Sequence, residues 1–275
     1  MKEPRGRGTS IDPGRIGSWA AEFAGYRHSV TESRIDRWLE QFDIPHRDLA
    51  ARVLDCVDFV PYEQISAAFR SLLNSLPGWS INETERQGRW RFVAFSVSAG
   101  ESGDQMLHHF RIANELADKR YDDLFVHVRD LLRENLGSGD KVVFVDDFAG
   151  TGNQVCEAWV KDIAELLPGG PKMYLILVAA SSMAREVISQ VTSLAVAPSF
   201  ELTESDSIFS DRCSHFEIGE KAILLEYCKT ADKRQPRGYG DCGFVIVFAH
   251  RCPNNTIPVL HANHNNWMGL FRRHR

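Results

Sequence analysis

The densest chemistry in the sequence lies between Val142 and Gln154, which reads Val-Val-Phe-Val-Asp-Asp-Phe-Ala-Gly-Thr-Gly-Asn-Gln. Four apolar residues predict a buried strand that ends in two carboxylates, Asp146 and Asp147. Carboxylates in that position stand at the carboxyl edge of a sheet, where open α/β folds bind ligands. The small-residue turn Ala149-Gly150-Thr151-Gly152 follows, and a helix then opens with Asn153 and Gln154. Backbone N–H groups of such a turn, backed by a helix start, make a cradle for an anion. Carboxylates beside a phosphate site can hold ribose hydroxyls or Mg²⁺. A phosphate and a diol at this separation describe a ribose 5-phosphate group. The same residues also suit an ordinary strand–turn–helix connection with two surface acids.

A second turn, Ser98-Ala99-Gly100-Glu101-Ser102-Gly103, has a similar setting. It follows a β-like run from Trp90 to Val97 and opens another helix. Ser98, Ser102 and Gly103 offer donors to a phosphate. A capped helix with Ser102 or Asp104 as N-cap accounts for the same residues. Glu101 suits a pyrophosphate only with Mg²⁺ between them.

Three weaker constellations complete the inventory. Cys242, His250, Cys252, His261 and His264 are soft-ligand types close in sequence, but without a standard zinc spacing. Cys213 and His215 could form a thiol–imidazole pair, with no acid or oxyanion turn beside them. Arg5, Arg7, Arg15 and Arg272, Arg273, Arg275 place positive charge near both ends of the sequence. Such residues read as solvated ends or as contacts to nucleic acid.

The elements that must position these groups follow from periodicity. Apolar residues at helical spacing predict helices over 31–43 and 47–58, and a third opened by Pro61 and stopped by Pro77-Gly78. Beyond residue 89 the pattern alternates. Strands are predicted at 90–97, 141–145, 173–180, 200–202 and 244–248. Helices are predicted at 104–116, 124–136, 154–167, 183–194 and 220–228. Alternation of this kind predicts an α/β fold with a mostly parallel sheet flanked by helices. The expected organisation is a disordered basic tail over 1–15, a helical N-terminal subdomain over 16–80 and an α/β domain with a C-terminal cap over 85–275.

Composition narrows the function classes. The chain has 275 residues, 43% of them hydrophobic, with 32 Lys and Arg against 37 Asp and Glu, a formal charge of −5. This excludes a globally basic nucleic-acid coat and a disordered or collagen-like chain. No apolar run approaches the roughly 20 residues that cross a bilayer. The first fifteen residues lack the apolar centre of a secretory signal. Six scattered cysteines without a CxxC read as reduced thiols, hence a cytoplasmic protein away from membranes.

The Val142–Gln154 segment resembles the PRPP-binding signature of the type I phosphoribosyltransferases. That signature has four apolar residues, two acids, three variable residues, Thr-Gly, a small residue and Thr. Twelve of the thirteen positions fit, and Gln154 stands where the family usually has Thr. Gly150 stands where the 6-oxopurine salvage enzymes carry an Asp that works at the base. The obvious general base is therefore missing, which argues against hypoxanthine or guanine salvage.

The front end, Trp38-Leu39-x-Gln41-Phe42 and Val60-Pro61-Tyr62-Glu63-Gln64-Ile65, extends the resemblance. So do Gly238-Tyr239-Gly240-Asp241, Pro253-Asn254-Asn255-Thr256-Ile257-Pro258 and the stretch from Trp267 to Arg273. These resemble phosphoribosyltransferase-like proteins of bacterial conflict systems, including retron and other anti-phage loci, over about residues 30–273. The resemblance implies that Asp146 and Asp147 hold the ribose diol of PRPP or a nucleotide, directly or through Mg²⁺. It implies that Gly150, Thr151, Gly152, Asn153 and Gln154 cradle the 5-phosphate, with Gly152 facing it. Ser98, Ser102 and Gly103 would face the pyrophosphate. The acidic pair is expected to be solvated and replaceable at little cost to the fold. The implied role is nucleotide metabolism or anti-phage defence, with a phosphorylated ribose ligand and a defence-system protein or nucleic acid as partner. The resemblance implies a phosphoribosyltransferase with pyrophosphate as the leaving group, and two rivals stay open: a non-catalytic nucleotide sensor, and a scaffold subunit of a defence complex.

Overall fold

The structure, a computed structural model, describes residues 1–4, 11–95 and 102–273. In chain order its helices are α1 (Pro13–Glu22), α2 (Glu32–Leu39), α3 (Arg47–Asp55), α4 (Tyr62–Ser75), α5 (Ser102–Ala113), α6 (Asn153–Ala158), α7 (Ser182–Val191) and α8 (Ile218–Ala231). Its strands are β1 (Asp58–Val60), β2 (Trp90–Ala94), β3 (Lys141–Ala149), β4 (Lys172–Ser181), β5 (Ala195–Leu202) and β6 (Ile246–Phe248). The chain divides into two compact units. One joins Met1–Tyr62 to Leu202–Arg275, and the other is Glu63–Glu201. This differs from the expected division of 16–80 from 85–275. The front helices gather with the tail, whereas α4 from Glu63 onward belongs with the larger sheet.

In the unit built from both ends, β1 pairs in parallel with β6. Trp19, Phe23, Trp38, Phe42 and Phe271 are fully buried in one apolar cluster. The front and tail motifs meet inside it. Trp38 Nε1 and Trp267 Nε1 both donate to the Val259 carbonyl, at 2.7 and 2.9 Å. The Gln41 amide grips Met268 at both backbone groups: Oε1 accepts from N at 2.7 Å and Nε2 donates to O at 3.0 Å. Asn255 Nδ2 donates to the Tyr239 carbonyl at 3.0 Å. Gly238 has φ +78°, and a Cβ there would stand 2.5 Å from the Asn255 carbonyl oxygen. Only glycine tolerates that approach and that backbone.

Arg15 is no part of a tail. The Asp12 carboxylate caps α1 by accepting from Arg15 N at 2.8 Å. The Arg15 side chain is 4% exposed and pairs with Asp55 at 2.7 Å. Asp55 also accepts from Trp19 Nε1 at 3.0 Å. Burial on this scale needs a counter-charge, and Asp55 supplies it. Arg5, Arg7 and Arg275 lie outside the described residues.

In the Glu63–Glu201 unit, the sheet runs β2-β3-β4-β5, with β2, β3 and β4 parallel. Successive side chains of a strand face opposite ways. Phe92 packs on Phe110 of α5 at 5.0 Å between ring centroids, and Phe110 on Phe69 of α4 at 5.7 Å. Val93 joins Val142, Phe144, Leu175 and Leu177 in a cluster with Val155, Trp159 and Ile188 from the α6 and α7 side. Both faces are thus covered, which is why β3 reads as an unbroken apolar run.

Two predicted helices take other forms. Residues 124–136 hold a 3₁₀ turn, Val128–Glu134, preceded by another at Lys119–Leu124. Between the two turns Phe125 bridges Phe92 in parallel, and Val126 N donates to the Phe92 carbonyl at 3.2 Å. That strand-like contact interrupts the helix. The 154–167 helix is α6, a π turn at Trp159–Ile163 and a 3₁₀ turn at Ala164–Leu166. Among the described residues no helix is long and apolar enough to cross a membrane.

Candidate functional site

The Phe125 bridge decides where the sheet can bind a ligand. Counting it as an outer position, the spatial order is Phe125, β2, β3, β4, β5. In chain order this is second, first, third, fourth, fifth. The winding direction reverses between β2 and β3. Doubly wound sheets bind ligands outside the carboxyl ends of the strands at that reversal. Both turns singled out in the sequence follow these two strands. The strands adjoin to their carboxyl ends, where Phe95 N donates to the Val145 carbonyl at 2.9 Å.

β3 is longer than predicted and runs through the acidic pair to Ala149. β4 ends level with it, pairing Asp146 with Leu177 and Ala149 with Ala180. The ladder therefore continues past the carboxylates. Asp146 is 8% exposed and Asp147 is wholly buried. An Asp146 carboxylate oxygen accepts from Asp147 N at 2.9 Å. The expectation of a solvated acidic pair is overturned.

The turn beyond is pinned by β4 and α7. Ser181 Oγ donates to the Gly150 carbonyl at 2.6 Å and accepts from Ala184 N at 2.8 Å, capping α7. A serine just before a helix marks a cap in the sequence, but the bond to the turn is not legible from that pattern. The available signal was a serine ending the strand next to the turn-bearing one. Thr151 Oγ1 accepts from Asn153 N at 3.3 Å. Among the described residues, neither Thr151 N–H nor Gly152 N–H donates to a protein acceptor. Asn153 and Gln154 are exposed.

Gly152 has φ +78°, and a Cβ would lie 3.0 Å from the Ala184 carbonyl oxygen and 3.1 Å from Ile188 Cγ1. Its missing side chain makes room for α7, not for a phosphate. That corrects the expected orientation.

Ser98 lies outside the described residues, as does Glu101. Ser102 opens α5, and Gly103 is buried. On α5, His109 Nε2 bonds Ser66 Oγ at 2.9 Å, and Arg111 pairs with Asp122. Both are held within this unit's own scaffold.

The weaker constellations do not assemble. Among the described residues no three His, Cys, Asp or Glu side chains converge as a metal site. All six cysteines are free. Cys213 is 2% exposed, which closes it to a substrate. Burial pushes the Cys56 and Cys252 thiols up to about 12, so neither is a nucleophile at neutral pH.

The PRTase-CE family profile matches residues 35–273. The chain belongs to the PRTase-CE family. A comparison with curated proteins gave no match. This PRTase-CE chain is accordingly a phosphoribosyltransferase-like α/β protein. The match spans more than the sheet bearing the β3 turn. It also takes in Trp38, Gln41 and Trp267, whose contacts make the core of the other unit.

Proposed function

We propose that this protein binds PRPP or a nucleoside phosphate at the carboxyl edge between β2 and β3. The observation that carries the reading is the coincidence of the β3 turn with the winding reversal of the sheet. The Thr151 and Gly152 N–H groups point the chain's own donors at the phosphate, with Asn153 and Gln154 beside them. Asp146, which keeps some exposed surface, holds the ribose diol. Asp147 supports it from within the ladder. Ser98, Ser102 and Gly103, beyond β2, complete the pyrophosphate side.

Mg²⁺ commonly uses one or two carboxylates together with substrate phosphates and water. Asp146 fits that role and Asp147, with no exposed surface, fits it only indirectly. When bound, Mg²⁺ would neutralise charge on a pyrophosphate. A specific observation favours a sensor over an enzyme: Gly150 brings no acid or base to the side where an acceptor base would sit. The resemblance to conflict-system proteins supports a role for this ligand binding in anti-phage defence. The free thiols suit a reducing compartment such as the cytoplasm.

Thermal shift with PRPP, a nucleoside monophosphate and NAD, each with and without Mg²⁺, tests the binding. A specific ligand at about 100 Kd adds about 2.7 kcal/mol. No shift with any phosphorylated ribose removes the proposal. Gln154→Thr, which restores the hydroxyl usual in the signature, should tighten binding. Pyrophosphate release from PRPP with a panel of bases would establish transfer, and tight binding without turnover would establish a sensor.

A further inference from the structure

On the unit that joins the two ends of the chain, arginines from three segments gather without ion-pair partners, although α2 also carries Glu32 and Asp36. Arg27 and His28 follow α1, Arg34 and Arg37 lie on α2, and Arg272 and Arg273 belong to the tail. Hydrogen bonds draw the three segments together. Tyr26 Oη donates to the Arg272 carbonyl at 2.7 Å, and an Arg34 N–H donates to the Gly269 carbonyl at 3.2 Å. Arg27 donates to the His250 carbonyl at 3.2 Å and Arg37 to the Ser33 carbonyl at 3.1 Å. Among the described residues, none of these five arginines has a carboxylate within 4.0 Å. Arg34 Nε and His28 Nε2 are buried without a hydrogen-bond partner. Arg272 and Arg273 line a cavity of about 480 Å³, with His264 and one acid, Asp232.

Unpaired cations concentrated on a chain of net charge −5 repel one another and favour a polyanion. The repulsion is felt locally. Burial first, and the neighbouring cations Arg27, Arg34 and Arg272 after it, hold His28 below its ordinary range. Burial and Arg272 do the same to Arg34. We propose that this arginine surface docks the phosphodiester backbone of a nucleic acid. Arginines drawn from three segments exceed what a single phosphate can use, and guanidinium groups suit phosphate oxygens. A lipid surface fits less well, because no large exposed apolar residue lies at 27–37 or 261–273.

The test is fluorescence anisotropy with RNA and DNA oligonucleotides on the whole chain, across a salt series. A slope of log K against log salt of about −4.5 is expected for duplex DNA if each of the five arginines neutralises one phosphate, at about −0.9 apiece. Arg37→Ala with Arg272→Ala, both exposed, should flatten that slope by about 2 units. Neither residue belongs to the β3 turn, so PRPP binding by the double variant should be unchanged. Absence of oligonucleotide binding at about 50 mM salt, or an unaltered slope in the variant, would overturn the proposal. So would tighter binding to phosphatidylserine vesicles than to either oligonucleotide.

Discussion

Asp146 and Asp147 are neighbours in sequence with different physical situations. Asp147 is inside the ladder with no exposed surface, whereas Asp146 retains 8%. Asp147→Ala should therefore destabilise the protein by about 1–3 kcal/mol, the cost of leaving buried polar partners unmet. Asp146→Asn should unfold at nearly the wild-type urea midpoint and lose ribose-phosphate binding. Equal midpoints for the two variants would contradict this division of roles. Gly152→Ala should also destabilise, by about 1–3 kcal/mol, because φ +78° and the 3.0 Å approach to Ala184 both resist a Cβ. The acids and glycines are legible as a motif because their types and spacing lie in seven consecutive residues, Asp146 to Gly152. Their burial was not legible, since it depends on β4 ending level with β3, a property of a distant segment.

His261 sets a pH dependence at the same scale. Its Nε2 meets the Thr256 carbonyl at 3.0 Å, and burial lowers its pKa from the usual 6.5 to about 4. Above pH 6.5 the ring is neutral in both folded and unfolded chains and contributes nothing to the pH slope. As pH falls from 6.5 toward 4, the unfolded chain takes up the proton and the folded one resists, so stability declines. Melting temperature should drop between pH 7.5 and 5, and His261→Gln should shrink that drop. A drop of the same size in the variant would assign the pH dependence to other groups.

At the scale of elements, most helices and strands were readable from periodicity, with ends displaced by a few residues. The exceptions have local causes. Residues 124–136 carry helical spacing, but Phe125 pairs with β2 and breaks the run into 3₁₀ turns. The tail motifs are recognisable in sequence, but their role lies in long-range contacts that no local pattern encodes: Trp38 and Trp267 share the Val259 carbonyl, and Gln41 holds Met268. Gln41→Ala removes both bonds to Met268 and should cost about 1–3 kcal/mol, measured by chemical denaturation. Asp55→Ala should cost more, about 3–5 kcal/mol, because it strands the buried Arg15 charge and the Trp19 N–H. A loss under about 1 kcal/mol would show that Arg15 finds another partner.

At the scale of the whole molecule, the Glu63–Glu201 unit is continuous in sequence and interrupts the other. The order of synthesis follows from that arrangement. The sheet and its helices can close as soon as residue 201 clears the ribosome. Trp19, Trp38 and Phe42 emerge earlier, yet their partners Val259, Trp267 and Phe271 come last. At roughly 5–20 residues per second, the stretch from Leu202 onward takes on the order of several seconds. For that interval the front helices carry exposed tryptophans and a half-built core, a substrate for chaperones. Ribosome-stalled chains long enough for residue 201 to have cleared the exit tunnel should resist protease across the sheet and be cut within α1 to α3, and protection of those helices should appear only once the tail has been released.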